Sequence, residues 1–206
     1  AAYRVIKKLQ PEAQAGLAAS ITVYDSPNGW SLPDAYLARA YNRSLNASQM
    51  AYLVYGYFSF SIPGAVRVAY TDNASNVFDF VGLNYYTRIY KKFSLSAPGH
   101  SQPIMKAPPE KCTDMRWEIY PEGLYRCLKF ISGYTPKPIY ITENGIADDS
   151  DTKRSKFIED HLLVMNKAMA EGINVKGYFY WSLMDNFEWA YGFEKRFGLY
   201  HVDYAT

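Results

Sequence analysis

The chain has 206 residues, 49% of them hydrophobic, enough for one sizeable core in a single domain. Its 22 basic and 20 acidic residues leave a formal charge of +2, without the basic footprint that nucleic acid or an anionic membrane surface requires. No apolar run reaches the length of a membrane span, so neither nucleic acid nor membrane is expected as a partner.

In chain order, Ala2 to Leu9 reads as an amphipathic helix tail carrying Arg4, Lys7 and Lys8. No apolar block and cleavage site follow these charges, so it is not read as a signal peptide. A cytoplasmic location is the expectation, with secretion left open. Gly16 to Val23 is a short apolar run suited to a buried strand. Ser48 to Phe60 and Gly64 to Tyr70 read as helices split by Pro63. Val77 to Tyr86 reads as a second strand. Thr87 to Trp117 is rich in Pro, Ser and Lys without a clear period, a length of loop that is functional or disordered.

Pro121 to Tyr134 reads as a helix with proline in its first turn, and Pro138 to Thr142 as the third strand. Asp151 to Glu171 is the clearest helix; Ile158, Leu162, Met165 and Met169 share one face and Gly172 ends it. Val175 to Trp181 is a fourth strand. A polar and aromatic loop, Ser182 to Arg196, and a final extended piece, Gly198 to Asp203, complete the chain. Alternating strands and helices indicate an α/β fold with a parallel sheet. Four such strands make half of a (β/α)₈ TIM barrel or a small open sheet. The barrel is favoured because the chemically loaded residues follow strand ends, where such barrels assemble their sites.

Cys112 and Cys127 do not make a disulfide framework, although a bridge between them stays open; Cys127 reads as a small core residue. Sequons at Asn42, Asn46 and Asn73 read as chance occurrences. His100, His161 and His201 lack metal-ligand spacing, and no metal or cofactor is expected. Glu118, Glu122 and Glu159 read as solvated surface.

Three stretches carry chemistry. Ile141-Thr142-Glu143-Asn144-Gly145 puts a carboxylate directly after an apolar strand, although Asn-Gly is also ordinary turn punctuation. Trp181 to Ala190 sets two tryptophans around acidic and amide groups, a mixture that suits a sugar's apolar faces and its hydroxyls, or simply a loop packed on helices. Asn84 and Tyr86 end the second strand, where they also suit plain capping.

Together, FDFVGLNYYT, WEIYPEGLY, PIYITENG and GYFYWSLMDNFEWAYGFEKRFGLYHVDY resemble the family-one glycoside hydrolases in order and spacing, strongly from about Val77 onward and more weakly before it. The resemblance implies strands five to eight of a TIM barrel, the C-terminal half of a retaining β-glycosidase acting on terminal β-D-glucosides or galactosides. Glu143 matches the nucleophile and Tyr86 the tyrosine that hydrogen-bonds it. Asn84 lies by the same subsite. Trp181 matches the sugar platform, Glu188 and Trp189 the contacts to outer hydroxyls, and Phe197 an aromatic wall. Trp117 falls in a shared segment and is given a structural role only.

The family's Asn-Glu-Pro acid/base motif is absent, as are its first-strand glutamine, its His-Trp pair and the arginine beside the nucleophile. The expectation is therefore that residues 1–206 form half of one catalytic domain and need the first four βα units from another chain, fragment or segment. A saccharide or β-glycoside is the expected ligand, and the isolated chain is expected to be inactive. Two alternatives stand beside it, a non-catalytic carbohydrate-binding relative and a self-paired half barrel.

Overall fold

The computed structural model describes residues 2–62, 66–72, 75–95 and 106–205. In chain order the elements are α1 (Ala2–Leu9), β1 (Gly16–Ser20), β2 (Val23–Asp25), α2 (Leu32–Tyr41), a π-helical stretch (Asn42–Ala47), α3 (Ser48–Tyr55), β3 (Tyr57–Ile62), β4 (Val66–Thr71), β5 (Phe80–Asn84), β6 (Arg88–Tyr90), α4 (Pro121–Ser132), β7 (Ile139–Asn144), α5 (Arg154–Ala170) and β8 (Val175–Tyr180). The α/β class is as expected. The main sheet is parallel, in the order β1-β5-β7-β8, and β2 pairs with β6 in a short parallel ribbon.

The strands alternate between two very different faces. Val81, Leu83, Tyr85, Ile139 and Ile141 are fully buried in one cluster with Leu124, Cys127, Leu128 and Ile131 of α4 and Met50 of α3. Side chains that point to opposite faces at successive positions put Phe80, Tyr140 and Thr142 on the other side of the same strands. There they border, with Pro138 and Phe179, an open cavity of about 310 Å³, and Phe179 is 57% exposed. Among the described residues nothing covers this face, and β1 and β8 each have a single neighbour in the sheet.

Several expectations change. The run from Gly16 to Val23 is not one strand; β1 ends at Ser20 and β2 begins at Val23. The helix from Ser48 stops at Tyr55, where Gly56 takes a left-handed φ of 71° that a side chain would resist. Beyond it, Tyr57–Ile62 and Val66–Thr71 form an antiparallel hairpin, not helix. Their aromatic and β-branched residues alternate with period two, the pattern of a strand; positions 64 and 65 of the expected helix lie outside the described residues. Helix α2 is an addition to the expected elements; Ser31 caps it by accepting from the Asp34 amide and Pro33 sits in its first turn. Part of the segment from Thr87 to Trp117 is ordered as β6 and a 3₁₀ turn at Pro109–Lys111; positions 96–105, including His100, lie outside the described residues. The final piece makes only one isolated bridge, Tyr200 to Met184.

Both cysteines are buried and free. Asn42 and Asn46 use their side-chain amides inside the fold, on the Tyr24 and Thr22 carbonyls; Asn73 lies outside the described residues. Glu118 is not solvated surface, because Arg88 grips it through Nε and Nη2 at 2.7 and 2.9 Å. Helix α5 turns Phe157, His161 and Ala168 to the interior, whereas Met169 is 44% exposed.

His161 is fully buried, with Nδ1 2.7 Å from the Phe157 carbonyl and the ring 3.9 Å from that of Phe157. Nδ1 therefore carries the proton, and Nε2 has no partner among the described residues. Burial depresses its pKa to about 4 from an ordinary 6.5. The unfolded chain takes up this proton first as pH falls. The stabilising contribution of the neutral ring is thus complete above pH 6.5 and is lost towards pH 4, by about 3 kcal/mol. Urea unfolding of the full-length protein carrying this chain should show that loss, and His161→Gln should flatten the pH slope over the same window.

Candidate active site

The site forms at the carboxyl end of the parallel sheet, where β5 and β7 slip out of simple register between Leu83 and Asn84. The slip sets Asn84 opposite Glu143. Main-chain pairing continues with the Tyr85 amide on the Glu143 carbonyl at 2.9 Å. Both neighbours of Glu143 are pinned by their side chains. Thr142 Oγ1 donates to Asn84 Oδ1 at 2.6 Å. Asn144, fully buried, donates to the Tyr85 carbonyl at 2.7 Å and accepts from the Tyr178 hydroxyl at 2.8 Å. The half-buried Glu143 carboxylate is thereby aimed, and the Tyr86 hydroxyl donates to its Oε2 at 2.8 Å. Burial, and then the facing carboxylate, raise the Tyr86 phenol far above its ordinary value, so it stays a proton donor.

Gly145 follows because β7 and β8 touch here: a Cβ would collide with the Trp181 carbonyl oxygen. The Trp181 amide in turn donates to the Asn144 carbonyl at 3.0 Å, and the Trp181–Ser182 peptide bond is cis. Glu188 comes back over this strand end and is buried. Its pKa is raised by burial and by the negative charge of Glu143, while a hydrogen bond from Trp181 opposes the rise. Phe197, 2% exposed, closes the wall with Tyr86 and Trp117; the ring centroids lie 5.4 to 6.3 Å apart.

Six of the seven residues singled out from sequence, Asn84, Tyr86, Glu143, Trp181, Glu188 and Phe197, are thus brought to one strand-end surface. Trp189 stands apart at the loop tip, 81% exposed. Trp117 and Thr142 belong to the same surface and were not expected there. The signal for Thr142 was its place beside the carboxylate; Trp117 needed a contact across 31 residues of sequence to Tyr86. No group of His, Cys, Asp and Glu among the described residues has metal-binding geometry.

Two buried charges hold the loops that carry the site. Arg154, 7% exposed, donates to the Ile146 and Asp148 carbonyls after β7 and to the Arg196 and Phe197 carbonyls after β8, and to the Tyr180 hydroxyl. Asp185 accepts from the Gly198 and Val202 amides and from Arg196.

The sequence pattern of glycosyl hydrolase family 1 matches residues 10–206. The chain belongs to glycosyl hydrolase family 1. It is 44% identical over 150 residues to beta-glucosidase A of Thermotoga maritima, an overlap of 66% of this chain and 33% of that one. It is 42% identical over 147 residues to a beta-galactosidase of Sulfolobus acidocaldarius, covering 66% and 29%. Among solved structures it overlies the beta-glycosidase from Pyrococcus horikoshii with a TM-score of 0.85 at 33% identity, covering 99% of this chain and 47% of that one. The family 1 b-glucosidase from Thermotoga maritima gives 0.86 at 32%, covering 99% and 49%. The chain therefore spans about half the length of the solved relatives, and its α/β sheet is half of their TIM barrel. Among the described residues, no helix is long and apolar enough to cross a membrane.

Removing the guanidinium of Arg154 would cut the buried charged ties that join the loop after β7 to the loop after β8. Arg154→Met in the full-length protein should cost about 3 kcal/mol or more in thermal or urea unfolding, well beyond an exposed Arg39→Met control.

Proposed function

We propose that this chain supplies half of the catalytic barrel of a retaining β-glycosidase acting on terminal β-D-glucosides or β-D-galactosides, with Glu143 as nucleophile. The observation that carries the reading is the Tyr86 hydroxyl 2.8 Å from a Glu143 carboxylate held at a strand end between two pinned neighbours. The names of the relatives support the substrate class: beta-glucosidase and beta-galactosidase among the sequences, and a Thermotoga maritima beta-glucosidase solved in complex with glucoimidazole among the structures.

In this reading Glu143 attacks C1 of the sugar and forms a glycosyl ester as the C1–O bond breaks. A second carboxylic acid gives its proton to the departing oxygen, then takes one from the water that hydrolyses the ester. Such pairs lie about 5 Å apart. The chain has no Asn-Glu-Pro motif to provide the partner, so the acid/base comes from the other half of the barrel, carried by another segment, fragment or chain. Residues 1–206 are then one half of a single catalytic domain. The open apolar face beside Phe179 and the single-neighbour strands β1 and β8 support that arrangement, since barrel closure buries both.

Trp181 offers a flat ring for an apolar sugar face, and Glu188 an acceptor for hydroxyls at the far end. Asn84 lies by the reacting centre, Phe197 walls the pocket, and Trp189 reaches the outer hydroxyls. Tyr86 fixes the nucleophile's orientation.

In the complete protein, an activated fluorosugar should label Glu143 in a peptide map. Glu143→Gln should lower kcat by about four orders of magnitude or more. Labelling elsewhere, or unchanged turnover, overturns the assignment. Tyr86→Phe removes a hydrogen bond to a charged group and should lower kcat about tenfold to a hundredfold.

Glu188, with its raised pKa, invites the competing idea that it is the proton donor. A sugar-binding role predicts that Glu188→Gln slows glycosides with good and poor leaving groups alike; a proton-donor role would spare the good ones.

A further inference from the structure

Away from the barrel mouth, the hairpin β3–β4 folds against α2 and the π-helical stretch and leaves a cleft of about 410 Å³ between them. The helical wall presents Tyr36, Arg39 and Arg43, spaced three and four apart so that they fall on one face. The hairpin wall presents Ser59, Ser61 and Arg67. Ser61 is the cross-strand partner of Arg67 and Ser59 lies two residues away, so all three share one face of the ribbon.

The walls are fixed relative to each other. Ser44, 2% exposed, donates its hydroxyl to the Ser61 carbonyl at 2.5 Å and accepts from the Ser61 amide at 3.1 Å. Three guanidinium groups thus line one concave surface whose lining contains no carboxylate. None of the three has an ion pair among the described residues, whereas Arg88, Arg126, Arg154 and Arg196 all do. Like charges gathered without counter-charge repel one another, and a multivalent anion removes that cost. Guanidinium matches tetrahedral oxyanions because it offers paired, planar donors. The serine and tyrosine hydroxyls add neutral donors. The volume falls in the range of small-molecule sites, about 300–1,000 Å³.

We propose that this cleft binds a phosphoryl compound of the diphosphate class, at a site separate from the strand-end surface around Glu143. Neither the nucleophile assignment nor the substrate reading enters this inference.

The test is calorimetric titration of pyrophosphate into the full-length protein at low ionic strength, with inorganic phosphate and a nucleoside diphosphate as further arms. Saturable binding of pyrophosphate with Kd below about 1 mM is expected, weakening as salt rises. Tighter binding of the nucleoside diphosphate assigns an organic carrier, and equal binding a free diphosphate. The double variant Arg43→Gln, Arg67→Gln should weaken pyrophosphate at least about tenfold, and Lys8→Gln, an exposed cation on α1, should not. All these positions are exposed, and a thermal melt checks that the variants are folded. Ser59→Asp places a carboxylate inside the cleft and should abolish binding. Absence of saturable binding up to about 10 mM pyrophosphate, or binding that survives both the double variant and Ser59→Asp, overturns the proposal. Competition by a glycoside or its inhibitor places the anion at the mouth of the barrel and overturns it equally.

Discussion

The pairing of Asn84 with Glu143 across β5 and β7 is the constraint on which the strand-end surface depends. Parallel strands normally march in even register, and a side chain at the end of one points wherever the pleat sends it. Here the register slips just before the end, and the residues on each side of Glu143 are tied down by Asn84, Tyr85 and Tyr178. A carboxylate between two such anchors has little freedom left. Tyr86 then meets it without reorganisation, as a preorganised donor must if it is to act on charge in a partly dry site.

The same surface shows how a large sheet is divided between two jobs. Its outer face buries Val81, Leu83, Ile139 and Ile141 against helices and supplies the cohesion. Its inner face carries Tyr140, Thr142 and Phe179 and leaves them open. Without the other half of the barrel the hydrophobic term acts on one face alone, and the chain relies more heavily on polar ties such as Arg154 and Asp185. These ties lie between the loops, so they hold the site and the fold at once.

Much of this was readable from residues. The four parallel strands announce themselves as short apolar runs, and the carboxylate, tyrosine and tryptophan stand immediately after them. The hairpin Tyr57–Thr71 departs from the expected helices because Gly56 and Pro63 fit a helix end and a helix break as well as they fit a strand start and a hairpin turn, and only the period-two alternation of YFSFSI and VRVAYT separates the two. On α5 hydrophobic spacing favours the face of Met169, whereas the fold buries Arg154, which finds its partners on the loops after β7 and β8, and His161, which bonds the Phe157 carbonyl one turn earlier. Glu118 reads as surface in sequence because its partner Arg88 lies 30 residues earlier. Contacts of this kind leave no local trace.

The loop after β8 combines a rigid foot with an open crown. Asp185, buried and bound by three donors, fixes the foot to Gly198 and Val202, while Phe187, Trp189 and Tyr191 at the crown are 63%, 81% and 48% exposed. Substitution at the foot disturbs the whole terminal segment, but substitution at the crown disturbs little beyond itself. Selection can therefore rewrite what the rim of this pocket greets, residue by residue, while the floor beneath it stays unaltered.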